Sequence, residues 1–205
     1  MTGVQTCALP IFVANWRFYS YDSYTHLATF TAVLLFSVET GLLAGMLVAV
    51  ALFVRSSSKP HLAVVGRVGD TSHFRNRKNH DVTTYPGIVA VRIDENLYFA
   101  NANNIETRIL KILDREDEAR HLLLVCSAIN FVDTSGLEML IRLNRKLSRD
   151  GLRMHLAEVK VPVMNQLRAT PLLTLLTGRV FFTTDEAMRT LAPTTAAPVT
   201  PTADA

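Results

Sequence analysis

Cysteine is nearly absent: of 205 residues only Cys7 and Cys126 carry a thiol, and they stand far apart. That excludes a disulfide-stapled secreted scaffold and a zinc module built on closely spaced ligands. Charge of one sign is also scarce. The net charge of +3 is too small for a nucleic-acid binder without a concentrated patch. The densest basic run, Arg75 to His80 (RNRKNH), has no interleaved aromatics on which bases could stack, so it reads as a solvated segment and not a nucleic-acid surface. No Gly-rich phosphate loop supports a nucleotide ligand, and nothing in the sequence implies a cofactor. Long apolar runs are limited to one.

What is present falls into two zones. A mean hydropathy of +0.21 is high for a soluble chain, yet 19% charged residues are too many for one buried wholly in lipid. Nearly all the excess lies before Val54. Leu27 to Val54 (LATFTAVLLFSVETGLLAGMLVAVALFV) is broken only by the acidic Glu39, just ahead of Thr40 and Gly41. A span needs about 20 apolar residues, so this stretch is long for one helix and short for two. As one helix it would be about 42 Å long and would have to tilt. As two, it forms a bent pair of short half-spans with Ser37 to Gly41 as the bend. The bent pair is favoured because a carboxylate at mid-depth is costly unless it faces protein or water. A single tilted anchor with Glu39 against a partner is the alternative. Gly41 and Gly45, four apart, make a small-residue face for close helix contact.

The flanks orient the segment. Arg55, Lys59, Arg67, Arg75, Arg77 and Lys78 follow it, whereas only Arg17 precedes it between Phe12 and His26. Excess Lys and Arg stay on the cytoplasmic side, so residues after Val54 are expected in the cytosol. Trp16, Phe18, Tyr19, Tyr21 and Tyr24 read as an interfacial aromatic belt. Residues 55–85, with three serines at 56–58, Pro60, Gly66, Gly69 and Pro86-Gly87 at the end, read as a linker. The tail at 193–205 lacks large apolar residues and reads as disordered.

Between linker and tail, at 86–192, the pattern is α/β. Val89, Val91 and Ile93 alternate with polar or small residues as in a half-buried strand. Leu97 to Ala100 reads as a second strand after a Glu95-Asn96 hairpin turn. Asn103 or Asn104 is suited to cap a helix with an Ile105, Ile109, Ile112, Leu113 stripe. His121 to Cys126 is a continuous apolar run, as in a central strand covered on both faces. Asp133-Thr134-Ser135-Gly136 opens a helix with Leu137, Leu140, Ile141 and Leu147 inward, and Met154, Leu156 and Val159 mark another strand. A helix starts near Pro162, Val180 to Phe182 reads as an edge strand, and Thr183 with Glu186 opens a last helix. The expected fold is a mixed sheet of four or five strands with packed helices.

Residues from about Trp16 to Leu191 resemble the C-terminal end of a SulP-type (sulfate permease) anion transporter, its last membrane helices followed by a STAS domain. The likeness rests on His26-Leu27-Ala28-Thr29-Phe30, Glu39-Thr40-Gly41, Arg55-Ser56-Ser57, Val65-Gly66-Arg67, Arg92-Ile93-Asp94, Leu97-Tyr98-Phe99-Ala100-Asn101 and Asp133-Thr134-Ser135-Gly136-Leu137. Asp-Thr-Ser-Gly alone is a weak motif; in this company it is strong. Residues 1–11 (MTGVQTCALPI) depart from the family and look like a translated sequencing-adapter read, a leader that is not native. The family's earlier membrane helices, which cradle the anion, have no counterpart, so the chain is expected to be a transporter fragment that does not transport alone. The resemblance implies an inner-membrane, multi-pass carrier when intact, with residues 12–54 as its last helices and a cytoplasmic STAS domain. The implied partners are the lipid bilayer, the rest of the transporter, a second copy in a homodimer, and a cytosolic protein on the STAS surface.

Two groups of residues are candidate sites. Asp133, Thr134, Ser135 and Gly136 lie at a helix N-terminus, which favours an anion. In the anti-sigma factor antagonists that the domain resembles, the serine at the place of Ser135 accepts a phosphate, which would add about −1.5 to −2 charge. The bland reading makes Thr134 or Ser135 the helix cap, Ser135 standing three before Glu138, with Asp133 able to cap as well. Glu39, Gly41 and Gly45 are candidates for intramembrane glue or gating. A Ser135–His121–His155–Asp133 hydrolase constellation is disfavoured, since no spacing sets a histidine beside that serine and both histidines read as surface residues. The chain is therefore not expected to be an enzyme. Three classes remain in order: a transporter fragment, a membrane-tethered STAS signalling protein switched at Ser135, and a soluble hydrolase.

Overall fold

The computed structural model describes residues 20–69 and 71–192, with side chains from Tyr24 onward. The leader, most of the aromatic belt, the tail and Asp70 lie outside the described residues. The chain divides into two compact units, residues 1–58 and 59–205.

Among the described residues the first unit holds two helices, α1 (Ser20–Leu35) and α2 (Val38–Ser57). Ser37 is the N-cap of α2, in extended backbone. Its hydroxyl accepts the Thr40 N–H at 3.3 Å, while Thr40 Oγ1 accepts the Ser37 N–H at 3.0 Å. This reciprocal pair satisfies two donors that a helix start leaves free. The break therefore needs only Phe36 and Ser37, which corrects the expected bend over Ser37 to Gly41. Glu39 falls inside the first turn of α2, where the helix dipole favours a carboxylate. The arms are not both half-spans: at 20 residues, α2 alone is long and apolar enough to cross a membrane. A single continuous span is ruled out by the break. Phe30, Leu34, Leu35, Leu42, Leu43, Leu47, Val50 and Phe53 are largely exposed, a surface that lipid or further helices would cover.

The second unit is a six-stranded sheet. Its strands are β1 (Leu62–Arg67), β2 (Phe74–Asn76), β3 (Ile88–Ile93), β4 (His121–Val125), β5 (Arg153–Ala157) and β6 (Val180–Phe181), in the order β2-β1-β3-β4-β5-β6. β3 to β6 run parallel; β1 lies antiparallel to both β2 and β3. The helices are α3 (Ala102–Leu113), α4 (Thr134–Arg149), α5 (Val161–Arg168), α6 (Leu172–Leu175) and α7 (Thr184–Leu191). The apolar run of β4 is divided between two cores. Leu122 and Leu124 face Ile105, Ile109, Met139, Leu143 and Leu147 from α3 and α4, while Leu123 and Val125 join Phe181, Ala187 and Met188 on the other face. That burial on both sides is what a parallel interior strand requires.

Four differences from the sequence expectations emerge, the first two of them set by distant pairing. Part of the expected linker is sheet: Leu62, Ala63 and Val64 pair with Ile93, Arg92 and Val91, so the domain begins well before residue 86. The expected Leu97–Ala100 strand and its hairpin are absent. Asn96 and Asn101 instead bind backbone and roll the segment into a turn, leaving only an isolated parallel bridge between Leu97 and Val132. Asn101, not Asn103 or Asn104, precedes α3, and its side chain makes no cap hydrogen bond. On α4 the inward stripe is also rotated: Met139 and Leu143 are fully buried, Leu137 and Ile141 only partly.

Candidate functional site

The Asp133–Gly136 turn follows the loop beyond the carboxyl end of β4. Asp133 is the N-cap of α4. Its Oδ1 accepts the Gly136 N–H at 2.7 Å, and its Oδ2 accepts the Phe99 N–H at 2.8 Å. One carboxylate thus caps the helix and clamps the Leu97–Asn101 turn against it. The Asp133 N–H donates to the Leu97 carbonyl at 2.9 Å, and Asn96 Oδ1 accepts the Asn130 and Phe131 N–H groups at 2.8 and 3.2 Å. Gly136 is buried here; a Cβ would meet Leu97 Cβ and O at 2.8 Å, so only glycine lets α4 start this close. Of the two sequence readings of the cap, the structure selects Asp133. Neither Thr134, which is exposed, nor Ser135, half-buried, supplies it. The Ser135 hydroxyl is not consumed by capping.

Gly41 and Gly45 are the buried residues of α2. A Cβ on Gly41 would meet Val33 Cγ2 at 2.2 Å, and one on Gly45 would meet Thr29 Oγ1 at 2.0 Å. The two glycines therefore let α1 and α2 approach more closely than any side chain allows. Glu39, two residues before Gly41, is exposed.

The histidines are not the separate surface residues expected. His155, 3% exposed, sits two positions diagonally from His121 across the β4–β5 register, and the rings meet at Nδ1 of His121 and Nε2 of His155, 3.1 Å apart. The Arg179 N–H donates to His155 Nδ1 at 3.0 Å. The neutral His155 ring thus carries its proton on Nε2 and donates it to His121, whose own proton is then on its Nε2. Burial first, then the charges of His121, Arg153 and Arg179, pull the His155 pKa down to about 4. Burial and the nearby Arg153 and Arg120 lower that of His121 as well. Because His121 opens β4 with His155 bonded to it, and Ser135 follows the far end of β4, neither of these two histidines stands ready to activate that serine.

Two further features escaped sequence reasoning. Arg67 of β1 lies over the rings of Phe74 and Tyr85, 5.9 and 5.8 Å from their centroids, and pairs with Asp185 of α7, which also binds Arg189 at 2.8 Å. Asn144, 2% exposed, accepts the Thr177 N–H and hydroxyl at 3.1 and 2.9 Å and donates to the Leu175 carbonyl at 2.8 Å. A buried carboxamide inside α4 was the available signal for the second. Cys126 is buried, with its thiol pushed up to about 12 by burial and by Glu158, so it is chemically quiet. Among the described residues no group of three or more potential ligands is arranged to hold a metal ion.

Comparison with known proteins places this geometry. Residues 79–187 match the sequence profile of the STAS domain. The chain is 30% identical over 205 residues to high affinity sulfate transporter 2 of Stylosanthes hamata, covering 95% of this chain and 31% of that protein. With sulfate transporter 3.1 of Arabidopsis thaliana it shares 28% identity over 162 residues, 74% of this chain and 25% of the relative. The chain thus spans less than a third of the curated relatives it matches. Its fold superposes on the murine Solute Carrier 26 family member A9 anion transporter, solved in the inward-facing state, with a TM-score of 0.80 at 18% identity, over 91% of this chain and 31% of that one.

Proposed function

The chain belongs to the STAS-domain family, and from that premise we propose that it is the C-terminal part of a SulP-type secondary active anion transporter, with sulfate the transported class. One observation carries this reading. The likeness to a named sulfate transporter runs through the helix pair as well as the sheet domain, covering 95% of the chain. A STAS domain borrowed for another purpose would not bring the membrane helices along with it. The setting is a membrane and the role is not enzymatic. In this reading α1 and α2 are the closing helices of the transport unit, with Gly41 and Gly45 setting their contact and Glu39 at the start of α2 within reach of the moving parts. The second unit is cytoplasmic and serves regulation and assembly. Its orientation is supported by Arg55 in the last turn of α2 and Lys59 just beyond it. Arg67 and Arg77 carry less of that signal, because both are engaged in ion pairs of the sheet domain. The intact carrier pairs with a second copy, and the STAS surface meets a cytosolic protein.

The described residues supply no separate midplane anion site of the broken-helix kind, so in this reading transport needs the remaining membrane helices. The test is a chimera in which this chain replaces the matching segment of the Stylosanthes transporter, expressed in cells that lack sulfate uptake. Sulfate uptake by the chimera, and none by this chain alone, is the expected result. Uptake by the chain alone, or protection of residues 59–192 from protease added to the cytoplasmic face, overturns the reading.

A further inference from the structure

We propose that a hollow at the amino-terminal edge of the parallel strands is a binding site for a dianionic tetrahedral oxyanion of the sulfate or phosphate class. The hollow has a volume of about 300 Å³, and its walls include His121, Arg153, His155, Gly178, Arg179 and Thr190. It lies apart from the Asp133–Gly136 turn, and the proposal stands whether or not the chain belongs to a transporter.

The charge inventory is one-sided. Arg153 and Arg179 form no ion pair among the described residues, and no carboxylate lines the hollow. Asp117 and Glu118 lie in the next hollow, on the side of His121 shared with Arg120. With both imidazoles neutral, two guanidinium groups face a common space without a counter-charge. The hydrogen-bonding pattern leaves His121 with a proton on Nε2, and no partner for that nitrogen is present among the described residues. Planar guanidinium forks and a neutral N–H form a donor set suited to an oxyanion and unsuited to a cation. Burial first, then the charges of His121 and both arginines, keep His155 from taking up a proton, so the ring adds no charge of its own to the hollow.

The wall is also held in place, as a specific site requires. Asn144 fixes the Leu175–Thr177 backbone, and Thr177 Oγ1 in turn accepts the Met154 N–H at 3.0 Å. At Gly178 a Cβ would meet the Met154 carbonyl at 2.3 Å and His155 Nδ1 at 2.5 Å, so the chain passes flush against the ring before Arg179. Arg153 and Arg179 therefore leave from backbone whose position is set by buried contacts. The volume exceeds the roughly 30 Å³ share of a single water several-fold. It accepts a bare oxyanion with its waters or the anionic group of a small ester.

The experiment titrates inorganic sulfate, inorganic phosphate and glycerol 3-phosphate into the full chain in detergent micelles, with chloride holding ionic strength constant. Binding is followed by calorimetry and by the imidazole resonances of His121 and His155. Saturable binding of at least one probe is expected, with those two imidazoles shifting. Preference for the ester over inorganic phosphate identifies a metabolite as the source; the reverse identifies the free ion. Arg153→Gln and Arg179→Gln are each expected to weaken binding about tenfold, the scale of one charge-assisted contact. Arg145→Gln, on the exposed side of α4, leaves affinity unchanged. Absence of saturable binding by all three probes, equal binding by a folded Arg153→Gln/Arg179→Gln double variant, or loss of affinity with Arg145→Gln of the same size overturns the proposal.

Discussion

Acidification should loosen the sheet domain through one ring. His155 is 3% exposed and its pKa lies near 4, against 6.5 for an ordinary imidazole. Protonation would place a second hydrogen on Nδ1, where the Arg179 N–H already points, and would add a charge beside Arg153, Arg179 and His121. The unfolded ring binds a proton below about pH 6.5 while the folded ring resists it. The unfolded state therefore gains protons first, and stability falls as pH falls. The loss begins near 6.5 and levels off below about 4. Between pH 7 and pH 5 the contribution is about 2 kcal/mol. The lowered pKa of His121 acts in the same direction. The measurement is urea unfolding of residues 59–192 within the full chain in mild detergent at both pH values, followed by circular dichroism, together with the titration of the His155 imidazole. His155→Gln, which retains an acceptor for the Arg179 N–H, should flatten most of the slope. An imidazole that titrates near 6.5 in the folded protein, or an unchanged slope in the variant, refutes the reasoning.

Other perturbations separate the remaining claims. Asp133→Ala removes the acceptor for both the Gly136 and Phe99 N–H groups and should cost about 1–3 kcal/mol in denaturant unfolding. Ser135→Ala, which removes no cap, should stay within about 0.5 kcal/mol by the same measurement; a loss as large as that of Asp133→Ala would return the capping role to the serine. Ser135→Glu tests the switch: altered capture of a cytosolic partner with the fold intact supports it, and unchanged binding and fold remove it. Gly45→Val drives a side chain into Thr29 and should separate α1 from α2, read as faster amide hydrogen exchange in both helices than in the parent chain. Cys126, buried with its pKa pushed up to about 12, should resist a maleimide at pH 8 until urea is added.

What the sequence made legible was what local pattern decides. The run of β4 and the Pro162 and Thr183 helix starts depend on neighbours a few residues away, and the structure places elements there. Leu97 to Ala100 misleads because a short apolar alternation after Glu-Asn is indistinguishable from a hairpin strand. What forbids the strand is the pair of hydrogen bonds that the Asn130 and Phe131 N–H groups, about 35 residues away, donate to Asn96 Oδ1. β1 hides for a similar reason. Gly66 and Gly69 give its surroundings the composition of a linker, while its partners are Ile93, Arg92 and Val91. Gly66 is in fact a packing requirement: a Cβ there would meet Val82 Cγ2 at 2.7 Å. The identity of the α4 cap was undecidable locally, since Asp133, Thr134 and Ser135 all cap well. Only the Phe99 N–H, brought in by the turn, gives the carboxylate a second bond and decides for Asp133.

The two features with chemical potential sit at opposite ends of the same strands, and that separation has a consequence. The Asp133–Gly136 turn follows the carboxyl end of β4, whereas His121 and Arg153 open β4 and β5 at the other. α4 touches both ends. Its first turn is clamped to Leu97 through Gly136, and Asn144, two turns later, holds the segment leading to Gly178 and Arg179. A charge added at Ser135 could reach the oxyanion hollow only by shifting α4 along its axis. The Gly136–Leu97 approach resists that shift, because a Cβ-sized gap is already absent. The two sites should therefore act independently while the clamp holds. Ser135→Glu should leave oxyanion affinity unchanged, and Asn144→Leu, which releases the Leu175–Thr177 segment, should weaken it without altering the Ser135 end. Coupling between Ser135→Glu and the affinity of the hollow would mean that α4 moves as a rod, against the packing at Gly136.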